Sequence, residues 1–180
     1  ANHPALLGHS ESASGKFDDV LHDIEELISE NHKVLVFSSF VTHLKLFRDE
    51  FEKNGWGYCL LTGQTQNREE VIAEFQNDRK KKLFLISLKA GGVGLNLTAA
   101  DYIFILDPWW NPASENQAIS RAHRIGQDKK VFVYRYITQD SIEQKIEKLK
   151  ERKSLLAEKF ITSNSPFDSA STEEIMELFE

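Results

Sequence analysis

The chain has 180 residues, 41% of them hydrophobic and 28% charged, which suits one ordinary globular domain with a real core. No apolar run approaches the roughly 18 residues of a membrane span, and no signal-peptide pattern opens the chain. The net charge of −6 argues against a polyanionic partner until its distribution is read: residues 1–32 hold seven acids and one base and 162–180 five acids and no base, which leaves 21 bases and 16 acids in 33–161.

In chain order, the first dozen residues read as a tail, and a helix is expected at about 17–30. The nearest phosphate-loop candidate lies at this end, in "SESASGKF". A Walker A loop needs a glycine at 10 and Ser or Thr at 17; Ser10 and Phe17 stand there, and no strand precedes them. No Asp-Glu pair follows a strand in the manner of a magnesium-holding Walker B. Cys59 is the one cysteine, and no second Cys or His stands at ligand spacing, so no metal site is expected.

The body then alternates. "VLVFSSF" (34–40), "YCLL" (58–61), "LFLIS" (83–87), "YIFILD" (102–107) and "VFVYRYI" (131–137) are short runs rich in β-branched and aromatic residues. Most are apolar on both faces, as strands of a covered parallel sheet are. Helices are expected at 41–54, 67–77 and 112–123. Another begins near Asp140, where Asp140 and Glu143 have capping-box spacing. The pattern predicts a three-layer α/β domain with a mainly parallel central sheet flanked by helices. Ligands of such sheets sit at the carboxyl ends of the strands, so the residues just after each strand carry the information.

After the third run comes "LKAGGVGLNLTAAD", whose glycines permit close backbone approach and whose Asn96 and Thr98 offer side-chain hydrogen bonds. After the fourth stands "DPWWNP", a stiff elbow in which two adjacent indoles point opposite ways, leaving one free to meet a base, a sugar or a partner. On the next helix Gln117, Arg121 and Arg124 fall at i, i+4 and i+7, one face, while Ala118, Ala122 and Ile125 form a second stripe about 100° away. Such a face is either a solvated surface or an anion clamp. Residues 162–180 read as a linker and a short acidic helix.

These segments in this order resemble the second RecA-like lobe of the Swi/Snf family of DNA-translocating ATPases, in helicase superfamily two. "NHPALL" is similar to the connector between lobes, and "SGKFDDVLHDIEELISENHKVLVFSSF" to the helix and strand of motif IV. "LISLKAGGVGLNLTAADYIFILDPWWNP" resembles motif V and its extension, and "QAISRAHRIGQ" motif VI. The resemblance implies a connector at 1–15, a RecA-like helicase C-terminal lobe at 16–161 and an acidic tail at 162–180. It implies that Arg121 and Arg124 are arginine fingers reaching ATP on the other lobe, with Gln117 on the same face. Gly92, Gly94 and Asn96 correspond to the loop coupling the nucleotide cleft to DNA. Ser38, Thr62, Gly63, Arg68, Lys89 and Trp110 fall on the track of one strand of duplex DNA.

Two positions depart from the family pattern: Leu88 stands where a hydroxyl is usual, and Ser39 where a glutamine commonly follows. The implied partners are an N-terminal RecA-like lobe and the backbone of double-stranded DNA. Mg2+-ATP would be held mainly by that first lobe, so the chain alone is expected to be inactive, monomeric and intracellular (cytoplasm or nucleoid in a prokaryote, nucleus in a eukaryote). The residues leave two other readings open, an RNA or strand-separating helicase lobe and a non-enzymatic anion-binding module.

Overall fold

The computed structural model describes residues 15–90, 95, 97–107, 119–120 and 130–162, with side chains through 155. The elements are α1 (Gly15–Ser29), β1 (Val34–Ser38), α2 (Val41–Lys53), β2 (Tyr58–Leu61), α3 (Arg68–Asn77), β3 (Leu83–Ser87), β4 (Tyr102–Ile105), β5 (Phe132–Arg135) and α4 (Ile142–Thr162). The chain divides into two compact units, Ala1–Thr138 and Gln139–Glu180. Among the described residues no helix is long and apolar enough to cross a membrane.

In the first unit the strands form one all-parallel sheet in the order β2-β3-β1-β4-β5. β1 and β3 are buried at every position, which is why their sequences carry no polar alternation. Side chains nonetheless divide by parity. Leu35, Phe37, Leu61, Phe84, Ile86, Ile103 and Ile105 gather with Phe75 of α3 in one core cluster. Val34, Val36, Leu83, Leu85 and Phe104 gather with Val20 and Ile24 of α1 and Leu44, Phe47 and Phe51 of α2 in another. The two clusters lie on opposite faces of the sheet. This is the expected three-layer fold.

The order of the strands follows from crossovers of one hand. The step from β1 to β2 runs one way across the sheet with α2 on one face, so the return from β2 to β3 must carry α3 on the other. The steps out of β3 and β4 continue in that second direction. Accordingly Ala90, Leu95, Leu97, Ala100 and Ile119 pack in the cluster that holds α3. β1 therefore lies between two strands whose chain leaves over the face opposite its own, and the crevice for a ligand is at its carboxyl end.

α1 and α2 enter the sheet through the same device. His32 N bonds Leu27 O at 3.0 Å and Asn31 N bonds Ile28 O at 3.2 Å, with Asn31 at φ 68. Trp56 N bonds Phe51 O at 2.9 Å and Gly55 N bonds Glu52 O at 3.2 Å, with Gly55 at φ 68. Each is a Schellman ending that satisfies the last carbonyls and turns the chain toward the next strand.

Two sequence expectations change. The strands at β1, β4 and β5 are shorter than their apolar runs, ending at Ser38, Ile105 and Arg135. In the second unit the helix begins at Ile142, not Asp140: the Ser141 hydroxyl accepts from Glu143 N at 3.2 Å, and Asp140 takes φ 51 outside the helix. Ser141 is the cap because its oxygen reaches the second helical amide. The helix expected at 112–123 lies almost wholly outside the described residues.

Candidate functional site

β1, β2 and β3 end level with one another: Ser38 pairs with Ser87, and Leu61 with Ile86. The parallel register thus brings the residues after three adjacent strands to one end of the sheet. Ser38 closes β1, Thr62 and Gly63 follow β2, and Lys89 follows β3, so four of the candidates scattered over 52 positions of sequence share one rim.

Their environments differ. Ser38 is wholly buried. Thr62 is 8% exposed and organises the turn after β2, its amide donating to Thr65 Oγ1 at 3.0 Å and its Oγ1 accepting from Gln64 N at 3.3 Å. Gly63 is exposed, and a Cβ built there meets nothing within 4 Å. Arg68 opens α3, half-buried, with Nε donating to Thr65 O at 3.4 Å. Lys89 is exposed. Leu88, the departure from the family pattern, is buried in the apolar core. Arg121, Arg124, Gln117, Gly92, Gly94, Asn96 and Trp110 lie outside the described residues.

At the crevice itself the structure adds two groups that sequence reasoning did not select, Asp107 and His43. Asp107, 4% exposed, follows β4; His43, 3% exposed, points in from the first turn of α2. Ser38 Oγ donates to Asp107 Oδ2 at 2.5 Å and Ser39 N donates to the same oxygen at 2.9 Å. His43 Nδ1 lies 3.3 Å from Asp107 Oδ1. Burial pushes the Asp107 carboxyl up, but the hydrogen bonds from His43 and Ser38, the charge on His43 and the Ser39 amide outweigh it and hold it below the usual aspartate value.

The three side chains are those of a hydrolytic triad in a different arrangement. In a nucleophilic triad the imidazole stands between hydroxyl and carboxylate and takes the hydroxyl proton. Here the carboxylate is central, and the serine proton points to it. The cluster fixes geometry and activates no nucleophile. Asp107 had one sequence signal, an acid that closes an apolar run before a proline. His43 had none, since it lies on the same helical face as Leu44, Phe47 and Phe51.

Gly15 and Lys16 open α1, and among the described residues no group of three His, Cys, Asp or Glu could hold a metal ion.

A model of the helicase conserved C-terminal domain matches residues 16–126. The chain is 42% identical over 171 residues to the DNA repair protein rad8 of Schizosaccharomyces pombe, covering 93% of this chain and 15% of that protein. It is 39% identical over 170 residues to an uncharacterized ATP-dependent helicase of Mycoplasma pneumoniae, covering 93% and 16%. The solved Sulfolobus solfataricus SWI2/SNF2 ATPase C-terminal domain matches with a TM-score of 0.70 and 34% identity, covering 98% of this chain and 74% of that one. The solved C-terminal part of the Fun30 ATPase domain matches with a TM-score of 0.72 and 37% identity, covering 75% and 44%. The chain thus spans about 15% of the length of these curated relatives. It belongs to the helicase conserved C-terminal domain family, as the C-terminal lobe of a SWI2/SNF2-type ATPase.

Proposed function

We propose that this lobe is the second half of an ATP-driven motor that moves on double-stranded DNA. It closes over Mg2+-ATP, the substrate, held by a first RecA-like lobe of the same polypeptide. Arg121 and Arg124 then serve as arginine fingers that stabilise charge on the transferring phosphoryl group, with Gln117 ordering the same face. Gly92, Gly94 and Asn96 couple that cleft to the DNA. Thr62, Gly63, Arg68, Lys89 and Trp110 grip the phosphodiester backbone, and Ser38, wholly buried, supports the track.

The observation that carries this reading is the gathering of Ser38, Thr62, Gly63 and Lys89 at the switch-point end of a parallel sheet, in a chain whose family is that of SWI2/SNF2 ATPase lobes. Ligands of such sheets sit at that end. A grip made of a hydroxyl, a glycine backbone and cations reads charge and shape, so binding is sequence-independent and salt-sensitive. The S. pombe relative is a DNA repair protein, which fits a motor whose track is DNA.

The test is hydrolysis by a polypeptide that joins this lobe to its first lobe. Duplex DNA should stimulate it more than single-stranded DNA or RNA; equal or greater stimulation by RNA would favour an RNA helicase lobe. Arg124→Ala should cut turnover about 10³-fold or more while nucleotide still binds. Near-parental turnover in that variant would refute the finger role.

A further inference from the structure

β4 is pinned to β1 at both ends by the same chemistry. At the amino end Asp101, 5% exposed, accepts from Lys33 N at 3.1 Å through Oδ1 and meets His32 Nδ1 at 2.7 Å through Oδ2. At the carboxyl end Asp107 accepts from Ser39 N at 2.9 Å through Oδ2 and meets His43 Nδ1 at 3.3 Å through Oδ1. Each aspartate thus takes one amide flanking β1 and one imidazole.

At the carboxyl-end pin a serine joins the amide and the imidazole. Ser38 Oγ donates to Asp107, and Phe40 N donates back to Ser38 Oγ at 3.1 Å. Ser38 O in turn accepts from Leu88 N at 3.0 Å, the residue before Lys89. Beyond Lys89, the turn is closed by Ala90 N on Ser87 Oγ at 3.3 Å. A continuous set of bonds therefore runs from the Asp107 carboxylate through Ser38 to the amide of Leu88, the residue before Lys89.

We infer that Asp107 is a positioning residue for this rim: it sets the exit of β1 and, through Ser38, holds Lys89 at the height where a phosphate is met. The inference rests on the reading that this end of the sheet grips DNA. It gives the buried Ser38 hydroxyl a role on the track that does not require it to reach a phosphate. Asp101, at the amino end of β4, lies away from this rim.

The experiment compares Asp107→Asn with Asp101→Asn in this chain. Both remove one negative charge, which by itself strengthens attraction to a polyanion, so weaker binding runs against the trivial effect. Both variants should melt at lower temperature. Asp107→Asn alone should weaken duplex binding, about tenfold, the scale of a charged hydrogen bond. It should also lower the dependence of log K on log salt by about one phosphate, as Lys89→Ala does. The double variant Asp107→Asn, Lys89→Ala should lose less than the sum of the two, whereas Asp101→Asn should add to Lys89→Ala. Additivity for Asp107, or an equal loss of binding in Asp101→Asn, would overturn the inference.

If the parent chain shows no salt-dependent duplex binding, the DNA reading fails. The positioning claim is then still decided by the Lys89 amide resonance, which must move in Asp107→Asn and stay put in Asp101→Asn. Should Asp107→Asn fail to fold, Ser38→Ala breaks the same path at its next member and must move that resonance in its place.

Discussion

The ammonium of Lys33 lies 4.8 Å over the ring of Phe75 and donates to the carbonyl of that same residue. It donates also to Asp78 O at 2.9 Å. A residue just before β1 thereby caps the carboxyl end of α3, where helix carbonyls have no intrahelical partner and the macrodipole favours a cation. The contact joins the central strand to the helix that packs its face.

Lys33→Met keeps the apolar stem over the ring and removes the charge and both hydrogen bonds. Stability should fall by about 1–3 kcal/mol, the cost of partly buried carbonyls left without their charged donor. Urea unfolding checks this: the midpoint should drop while the slope stays the same. An unchanged midpoint would show that water replaces the cap at no cost.

Two glycines near the ends of β2 should respond in opposite ways to alanine. At Gly57 an added Cβ would stand 2.0 Å from the backbone carbonyl oxygen of Lys80, while Gly57 O is itself held by Lys82 N at 3.1 Å. Neither peptide can yield without breaking the start of β3, so Gly57→Ala should cost about 2 kcal/mol or more. At Gly63 the added carbon meets nothing, and stability should stay within about 0.5 kcal/mol. Thermal unfolding of the two variants side by side decides it. Gly63→Ala then serves to probe the rim without a folding defect.

The Asp107 carboxyl, held below the usual range against its burial by His43, Ser38 and the Ser39 amide, makes stability depend on acid in a defined direction. A carboxylate whose folded pKa is depressed stabilises the fold fully above its unfolded value of about 3.9 and loses that contribution as pH falls through the lower folded value. Asp107→Asn should therefore lie well below the wild type in melting temperature at neutral pH. The gap should close on acidification below about pH 4. A gap that stays constant down to the acid limit would mean that the charge of Asp107 does not matter to the fold.

Composition and pattern sufficed for much of this protein. The boundaries of β2 and β3 follow from the sequence to the residue: β2 is the apolar run between Gly57 and Thr62, and β3 opens after Lys82 and closes on Ser87. The alternation of those runs with helical segments implied the parallel sheet, and the short motifs after the strands implied the family. Those are local properties, decided by residues within a few positions of one another.

Contacts across the sheet were not legible. The apolar runs overshoot β1 and β4 because Ser39, Phe40 and Asp107 look like strand residues until their backbone and side chains are seen bonded elsewhere. Ser38 and Asp107 are 69 positions apart and His43 and Asp107 are 64 apart; only the order β3-β1-β4 makes them neighbours. That order comes from the hand of the crossovers, a property of the twisted sheet as a whole. The sequence by itself determined which segments are strands, which are helices, and which short motifs follow them. The tertiary structure alone decided that a buried aspartate at the end of β4 would take the serine, the amide and the histidine at the end of β1, because a carboxylate withdrawn from water must find its hydrogen-bond donors wherever the sheet brings them.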